Sequence, residues 1–444
     1  MHGATAKYIV DYGQFSSYSG YFGYPGAFLL SALLSKTMGL PVLETNILLA
    51  SFLNLLISFL LFAIGKVYIG EEEGWLVPTI YFAFSGFFKY YYYSPQLLGL
   101  CLHIVFVFIV LRRIFKRAPT ESILLLILLS ALTMVHVFSA VVTVTTLFCV
   151  YICGEKIRVL KLKNKHFITL PVFLFGALLF IAWHILIANE TFEVSIDFLS
   201  SIIKGYRTPS GFTEAILHKP SRSVFTLWLQ SYRYGTYTLL AFASICGLVL
   251  FWHRKEVKLI FLSALGVIIG AMLIYLTPAI WGLGRVLSFF GGIIISLLAS
   301  YAMVEQNVKI SKVHQALRIL KKIVPFMVIG TFLVANLDVS VYTLFVHPDE
   351  IRAIEFAARN VNRPISVIVH EAFIIRYIAG DSLSVRVVDD GLPSDIAKSK
   401  FEKGDVSLQY LPRQQYYYNL TFAEGNNNLV YSNGLCRIYS KTSH

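Results

Sequence analysis

Charge is what this sequence has least of: Asp, Glu, Lys and Arg make up 14% of its 444 residues, against about 25% in a typical soluble domain. With 56% hydrophobic residues and a mean hydropathy of +0.66, the chain reads as a membrane protein. Soluble enzyme classes are excluded as a whole-chain reading, and so is disorder. Cysteine is sparse and scattered. Cys101, Cys149, Cys153 and Cys246 sit in apolar runs and only Cys436 in polar sequence, so neither a disulfide framework nor a Cys-rich zinc site is readable. The common catalytic signatures are missing too: no Walker or Rossmann glycine loop, no HExxH, no CxxC pair and no serine nucleophile elbow. Gly282-Leu283-Gly284-Arg285 lacks the third glycine of a dinucleotide loop. The N-terminus has no signal-peptide pattern, and no repeat of fixed period shows.

What is present is a series of apolar stretches near the roughly 20 residues that a bilayer requires. Ten candidate spans fall at 45–66, 75–89, 95–111, 121–134, 138–153, 167–187, 235–252, 258–276, 286–304 and 323–345. The 121–134 and 138–153 pair, split at Met134-Val135-His136, reads either as two short helices or as one long bent span. Tyr24 to Leu40, bounded by Pro25-Gly26 and Gly39-Leu40-Pro41, reads as a helix along the membrane surface. Lys and Arg collect in cytoplasmic loops. One set of loops holds Arg112, Arg113, Lys116, Arg117, Lys156, Arg158, Lys161, Arg254, Lys255, Lys309, Arg318 and Lys322, while the short opposite connections hold only Lys89, His136 and Arg285. That asymmetry favours ten spans, with both termini outside. It also accounts for the net charge of +13 without nucleic acid, through cytoplasmic loops facing anionic lipid.

The chain is therefore expected to be a polytopic α-helical membrane protein in three parts: an external loop with surface helices over 1–44, a transmembrane domain of about ten helices over 45–345, and an extracytoplasmic α/β domain over 346–444. In the last part, Pro348 to Asn360 predicts a helix with Asp349 and Glu350 in its first turn. Ile365–Val369 and Leu383–Val388 predict strands, and Glu371–Ala379 a second helix. Asp395 to Asn428 reads as polar connection, and Asn433-Gly434 between apolar runs as a hairpin turn.

Candidate functional groups lie at the expected outer ends of spans, where polar residues at membrane depth face a cavity or a partner. Arg285 opens the 286–304 span with nothing acidic nearby in sequence, and a guanidinium there suits bidentate phosphate contact; the alternative is an interfacial anchor. In Tyr93-Ser94-Pro95-Gln96, Ser94 suits an N-cap, Pro95 the first helical turn, and Gln96 puts an amide at a helix N-terminus that attracts anions. An aromatic belt with a cap explains the tyrosines but not Gln96. His136 occupies the turn of the split segment, as a structural residue or a ligand contact. Arg207 and Arg222, in the long loop Ala188–Tyr234, suit a basic lid over an anionic lipid-linked substrate or an ordinary solvated loop. His103 and His184, inside spans, read as packing residues.

The start of the chain, His2-Gly-Ala-Thr-Ala-Lys-Tyr-Ile9-Val-Asp11-Tyr-Gly13 followed by Tyr24-Pro25-Gly26, resembles the first external loop of the GT-C superfamily of glycosyltransferases. These are polytopic enzymes that take sugar from a polyprenyl (dolichyl) phosphate carrier, dolichyl-phosphate-mannose protein mannosyltransferases among them. His2, Ile9, Gly13 and Tyr24-Pro25 match that layout. The helix start at Tyr93-Ser94-Pro95-Gln96, the His136 turn, Gly284-Arg285-Val-Leu-Ser-Phe and the ending Leu429 to Tyr439 are similar to archaeal and bacterial members. The resemblance implies transfer of a sugar to an acceptor protein, lipid or glycan on the outer face. An Asp would deprotonate the acceptor, and Arg285, with a divalent metal ion (Mg or Mn) if one takes part and His2 as its candidate ligand, would stabilise the leaving phosphate. The family's catalytic Asp and first span would precede Met1. Asp11 is the weak substitute, and the chain as it stands is expected to be inactive or nearly so. A secondary transporter or an inactive scaffold is the alternative, although Lys, Arg, Asp and Glu are nearly absent from span interiors apart from Asp338.

Overall fold

A computed structural model describes residues 2–13, 24–85, 93–115, 121–156, 170–188, 200, 224–275, 283–304, 311–337 and 348–360, and five strands within 365–441. The chain divides into two compact units: 15–217 with 224–335, and 1–14 with 218–223 and 336–444. Helices are α1 His2–Tyr12, α2 Gly26–Met38, α3 Val42–Tyr68, α4 Leu76–Ser85, α5 Pro95–Phe115 and α6 Glu121–Val135. They continue with α7 Val137–Lys156, α8 Leu170–Leu186, α9 Val224–Leu250, α10 Lys255–Tyr275, α11 Leu283–Val304, α12 Ser311–Leu337 and α13 Pro348–Asn360.

The larger unit is a helical bundle. Among the described residues, Val42–Tyr68, Lys255–Ile274 and Val286–Val304 are long and apolar enough to cross a membrane by length and composition. Shorter apolar helices include Pro95–Val110, Ile123–Val135, Val137–Ile152, Phe173–Leu186 and Tyr234–Leu250. In lipid, apolar surface does not drive helices together, so close packing and interhelical hydrogen bonds must. Small residues supply the approach: a Cβ on Gly266 of α10 would collide with the Thr146 backbone of α7, and one on Gly247 of α9 with the Leu298 carbonyl of α11. Thr145 Oγ1 donates to Gly266 O at 2.8 Å and Ser244 Oγ to Ile295 O at 2.9 Å. Leu76, Ile80 and Val324 complete one buried layer, and Ile57, Leu61, Ile104 and Phe290 another.

These contacts fix direction. Ser244 with Ile295 and Gly247 with Leu298 make α9 and α11 parallel. Gly266 with Thr146 and Gly270 with Val142 make α10 antiparallel to α7. Gly99 with Ser139 and His103 with Thr143 make α5 and α7 parallel. Because Phe251–Arg254 turns α9 sharply into α10, α5, α7 and α11 all begin at one end of the unit, here called its head. At the opposite end Tyr301 donates to Tyr68 O at 2.8 Å, and Lys321 pairs with Glu73.

The split segment is two helices. α6 leaves the end of α5 after five residues and packs along it, so it must run back toward the head before α7 descends. His136 is the single residue between them, with His136 N bonded to Leu132 O and Ala140 N to His136 O. α2 ends at Gly39, whose φ of 67° closes the helix with a bond to Ser35 O, a conformation that glycine adopts without strain.

The smaller unit holds a five-stranded sheet of order β2-β1-β3-β5-β4: β1 Ile365–Ile368, β2 Val385–Val388, β3 Val406–Tyr410, β4 Asn427–Ser432 and β5 Cys436–Lys441. β1 pairs in parallel with β2 and β3, and β5 antiparallel with β3 and β4. β3 lies inside Asp395–Asn428, which the sequence presents as polar connection. Its five residues Val-Ser-Leu-Gln-Tyr alternate too briefly to stand out, and pairing on both sides supplies the stability that the pattern does not advertise. α13 buries Ala353, Ile354 and Ala357, spaced i, i+1, i+4 on one face. The expected helix at 371–379 lies outside the described residues.

Candidate functional site

The head of the larger unit gathers the start of α5, the α6–α7 corner, the start of α11 and the start of α2. At α5, Ser94 Oγ accepts the Leu97 N–H at 3.2 Å, and Ser94 O accepts from Leu97 and Leu98. Ser94 is thus the N-cap, and Pro95 brings no N–H of its own. Tyr93, 2% exposed, donates its hydroxyl to Ala27 O at 2.9 Å, which ties α5 to the first turn of α2. Burial raises the Tyr93 phenol well above its ordinary pKa, so it remains a donor across the physiological range.

Gln96 differs from both neighbours. It is 7% exposed, and its Nε2 is buried with no hydrogen-bond partner. Helical spacing places Gln96, Gly99 and His103 along one face of α5, the face that meets α7. A Cβ on Gly99 would collide with Ser139 Oγ and come within 3.1 Å of His136 Cβ. Gln96 therefore stands one turn above the α6–α7 corner.

At that corner His136 Nδ1 accepts the Ser139 N–H at 3.3 Å and the Ser139 hydroxyl at 3.0 Å. An imidazole nitrogen is doing what a Ser or Asp side chain does at an N-cap. This commits Nδ1 as an acceptor and sets the proton on Nε2 of the neutral ring. One turn below, His103 Nδ1–H donates to Thr143 Oγ1 at 2.8 Å, and Thr143 donates to Ser139 O at 2.6 Å. His103 also meets the ring of Phe290 on α11 edge-on at 4.8 Å.

That last contact sets the height of Arg285. Arg285 lies in the first turn of α11, five residues before Phe290, or about 7.5 Å along the axis; Gln96 lies seven residues before His103, about 10 Å along α5. Two parallel helices thus carry Arg285 and Gln96 to nearly the same level at the head. Below the Arg285 turn, an open apolar groove of about 400 Å³ is lined by Leu287, Gly291 and Ile295 of α11, Ile268 of α10, Tyr237 of α9 and Phe84 of α4.

Tyr24 precedes α2, is 4% exposed and bonds to His184 Nε2 at 2.7 Å. His184 Nδ1–H donates to Phe180 O at 2.7 Å, so Nε2 is the acceptor and Tyr24 the donor. The sequence marks His184 only as a histidine in an apolar run; the signal lies 160 residues away, in the Tyr-Pro preceding α2.

The remaining candidates lie elsewhere. His2 begins α1, in the smaller unit, and its side chain lies outside the described residues, as do Arg207 and Arg222. Asp11 is exposed and ion-paired with Lys7 at 2.8 Å. Among the described residues no three His, Cys, Asp or Glu side chains converge.

No protein-family model matches the chain, and no curated protein matches it by sequence. Solved structures do. ArnT from Cupriavidus metallidurans bound to undecaprenyl phosphate superposes with a TM-score of 0.54 at 9% identity, over 100% of this chain and 93% of that one. The Archaeoglobus fulgidus oligosaccharyltransferase tethered with an acceptor peptide containing the NVT sequon gives 0.59 at 9% identity, over 100% of this chain and 70% of that one. The archaeal oligosaccharyltransferase AglB from Archaeoglobus fulgidus, in complex with an inhibitory peptide and a dolichol-phosphate, gives 0.57 at 9% identity, over 99% and 70%. At such identity the likeness is one of fold.

Proposed function

We infer, from a chain with the fold of the GT-C membrane glycosyltransferases, that it transfers a sugar from a polyprenyl-phosphate carrier to an acceptor on the outer face of the membrane. The observation that carries the reading is the start of α11, where Arg285 occupies the first turn directly above an open apolar groove. A polyprenyl phosphate is an anionic head on a long apolar tail, and this place on the chain matches both parts. The solved neighbours add support, since two carry undecaprenyl phosphate and dolichol-phosphate.

In the transfer, the bond between the anomeric carbon and the carrier phosphate oxygen breaks as the acceptor's bond to that carbon forms, and the acceptor's proton passes to a general base. The departing phosphate gains negative charge, which a guanidinium stabilises more in the transition state than in the ground state. Arg285 takes that role. His136 and Gln96 flank the head from α7 and α5, and Tyr93 and Ser94 hold the α5 turn in place. Asp11, held by Lys7, stays outside the chemistry. Loop charge supports an extracytoplasmic head, since Lys and Arg collect in the loops at the other ends of these helices.

Binding of polyprenyl phosphate to the protein in nanodiscs tests this reading. Arg285→Ala is expected to weaken binding by about 10- to 100-fold, the worth of about 1.5–3 kcal/mol for a charge-assisted hydrogen bond, and Arg285→Lys by less. Uncharged polyprenol should bind the wild type and Arg285→Ala equally. Wild-type affinity for polyprenyl phosphate retained in Arg285→Ala would overturn the assignment.

A further inference from the structure

We propose that Gln96 contacts a hydroxyl of the carrier-linked sugar and thereby distinguishes a loaded carrier from an empty one; this rests on the transferase reading above. A helix N-terminus invites an anion because its first N–H groups lack partners. At α5 that invitation is largely withdrawn. Pro95 has no N–H, and the Leu97 N–H is taken by Ser94 Oγ. The α5 turn is therefore a poor second phosphate site, which leaves the phosphate to Arg285.

What α5 does offer is the Gln96 amide, more than nine-tenths buried with its nitrogen unpartnered. A buried amide without a partner is costly, and side chains left in that state concentrate at functional sites. Its neighbours are already engaged: the Tyr93 hydroxyl is given to Ala27 O, Ser94 caps the helix, and His136 Nδ1 caps α7. An amide both donates and accepts, which matches a hydroxyl and is wasted on a phosphate, which only accepts.

Position agrees with chemistry. Gln96 and Arg285 begin parallel helices at nearly the same height over the His103–Phe290 contact. A sugar is joined directly to the carrier phosphate. With the phosphate at the start of α11, the sugar joined to it would extend toward the start of α5.

The test compares bare polyprenyl phosphate with polyprenyl phosphate bearing mannose, glucose or N-acetylglucosamine, each bound to the full chain in nanodiscs. Gln96→Met keeps the length of the side chain and removes its polar group. We expect Gln96→Met to bind the preferred loaded carrier about tenfold more weakly, to bind the bare carrier as the wild type does, and to melt higher than the wild type without ligand. Gln96→Asn, with the amide withdrawn by one methylene, should fold normally and lose part of the same preference. Equal weakening of both carriers, no change in either, or no wild-type preference for any loaded carrier over the bare one would each overturn the assignment while leaving the transferase reading in place. Failure of the wild type to bind any of these carriers would overturn both.

Discussion

Tyr24 and His184, 160 residues apart, share a buried hydrogen bond of 2.7 Å in which the phenol donates and the imidazole Nε2 accepts. The direction follows from the other side of the ring, where Nδ1–H is already given to Phe180 O. Burial raises the Tyr24 phenol well above its ordinary pKa, so the donor keeps its proton. The bond joins the approach to α2 to the last turn of α8.

Tyr24→Phe should destabilise the larger unit by about 0.6–1.7 kcal/mol, the range for interhelical hydrogen bonds in lipid. The ring still fills its place, so packing is nearly unchanged and the loss reports the hydroxyl alone. Thermal unfolding in detergent of Tyr24→Phe, His184→Phe and the double variant would check it. The double variant should cost less than the sum of the singles, and strict additivity would rule the coupling out.

Gly99 lets α5 lie against the start of α7. A Cβ there would strike Ser139 Oγ and stand 2.9 Å from Ser139 Cβ, so Gly99→Ala should destabilise by about 1–3 kcal/mol through overpacking. Ser139→Ala should relieve little of this, because the Cβ remains. Ser139→Gly in the Gly99→Ala background should recover a large part of the packing loss, although it also removes one bond to His136. Melting temperatures of the four proteins decide the point; a Gly99→Ala protein as stable as the wild type would mean the helices stand further apart.

Asp11 and Lys7 form an exposed i, i+4 pair on α1, an arrangement worth about 0.3–0.5 kcal/mol. Asp11→Asn is therefore expected to leave both stability and polyprenyl phosphate affinity within about 0.5 kcal/mol of the wild type. Carrier binding and thermal unfolding measure this together. A fall in affinity of tenfold or more would bring Asp11 into the chemistry.

Local patterns made much of this architecture legible. Pro95 behind Ser94 announced a capped helix start, and the chain does begin α5 there with Ser94 as the cap. The acidic first turn after Pro348 marked α13, and the flanks of Asn433-Gly434 became paired strands β4 and β5. The likeness to GT-C enzymes, read from short motifs in a shared order, agrees with the fold of the solved neighbours. β3 escaped because five alternating residues in polar surroundings look like many loops, and only its partners β1 and β5 make it a strand. The reversal at His136 was legible in part: the local sequence suits a bent helix or a hairpin, loop charge favours the ten spans that count the segment as two, and the parallel register of α5 with α7 agrees with two helices.

Composition and periodicity by themselves determined that the chain is a bundle of apolar helices with its polar groups collected at helix starts, because hydrophobic runs and caps are properties of neighbouring residues. Which of those polar groups are already spent was decided by tertiary structure alone. Tyr93 is used by Ala27, His136 Nδ1 by the turn it caps, and the Gln96 Nε2 by nothing in the described structure. Hydrogen-bond partnership is satisfied through space, between residues that the order of the chain keeps far apart, and so it appears only once the helices have packed.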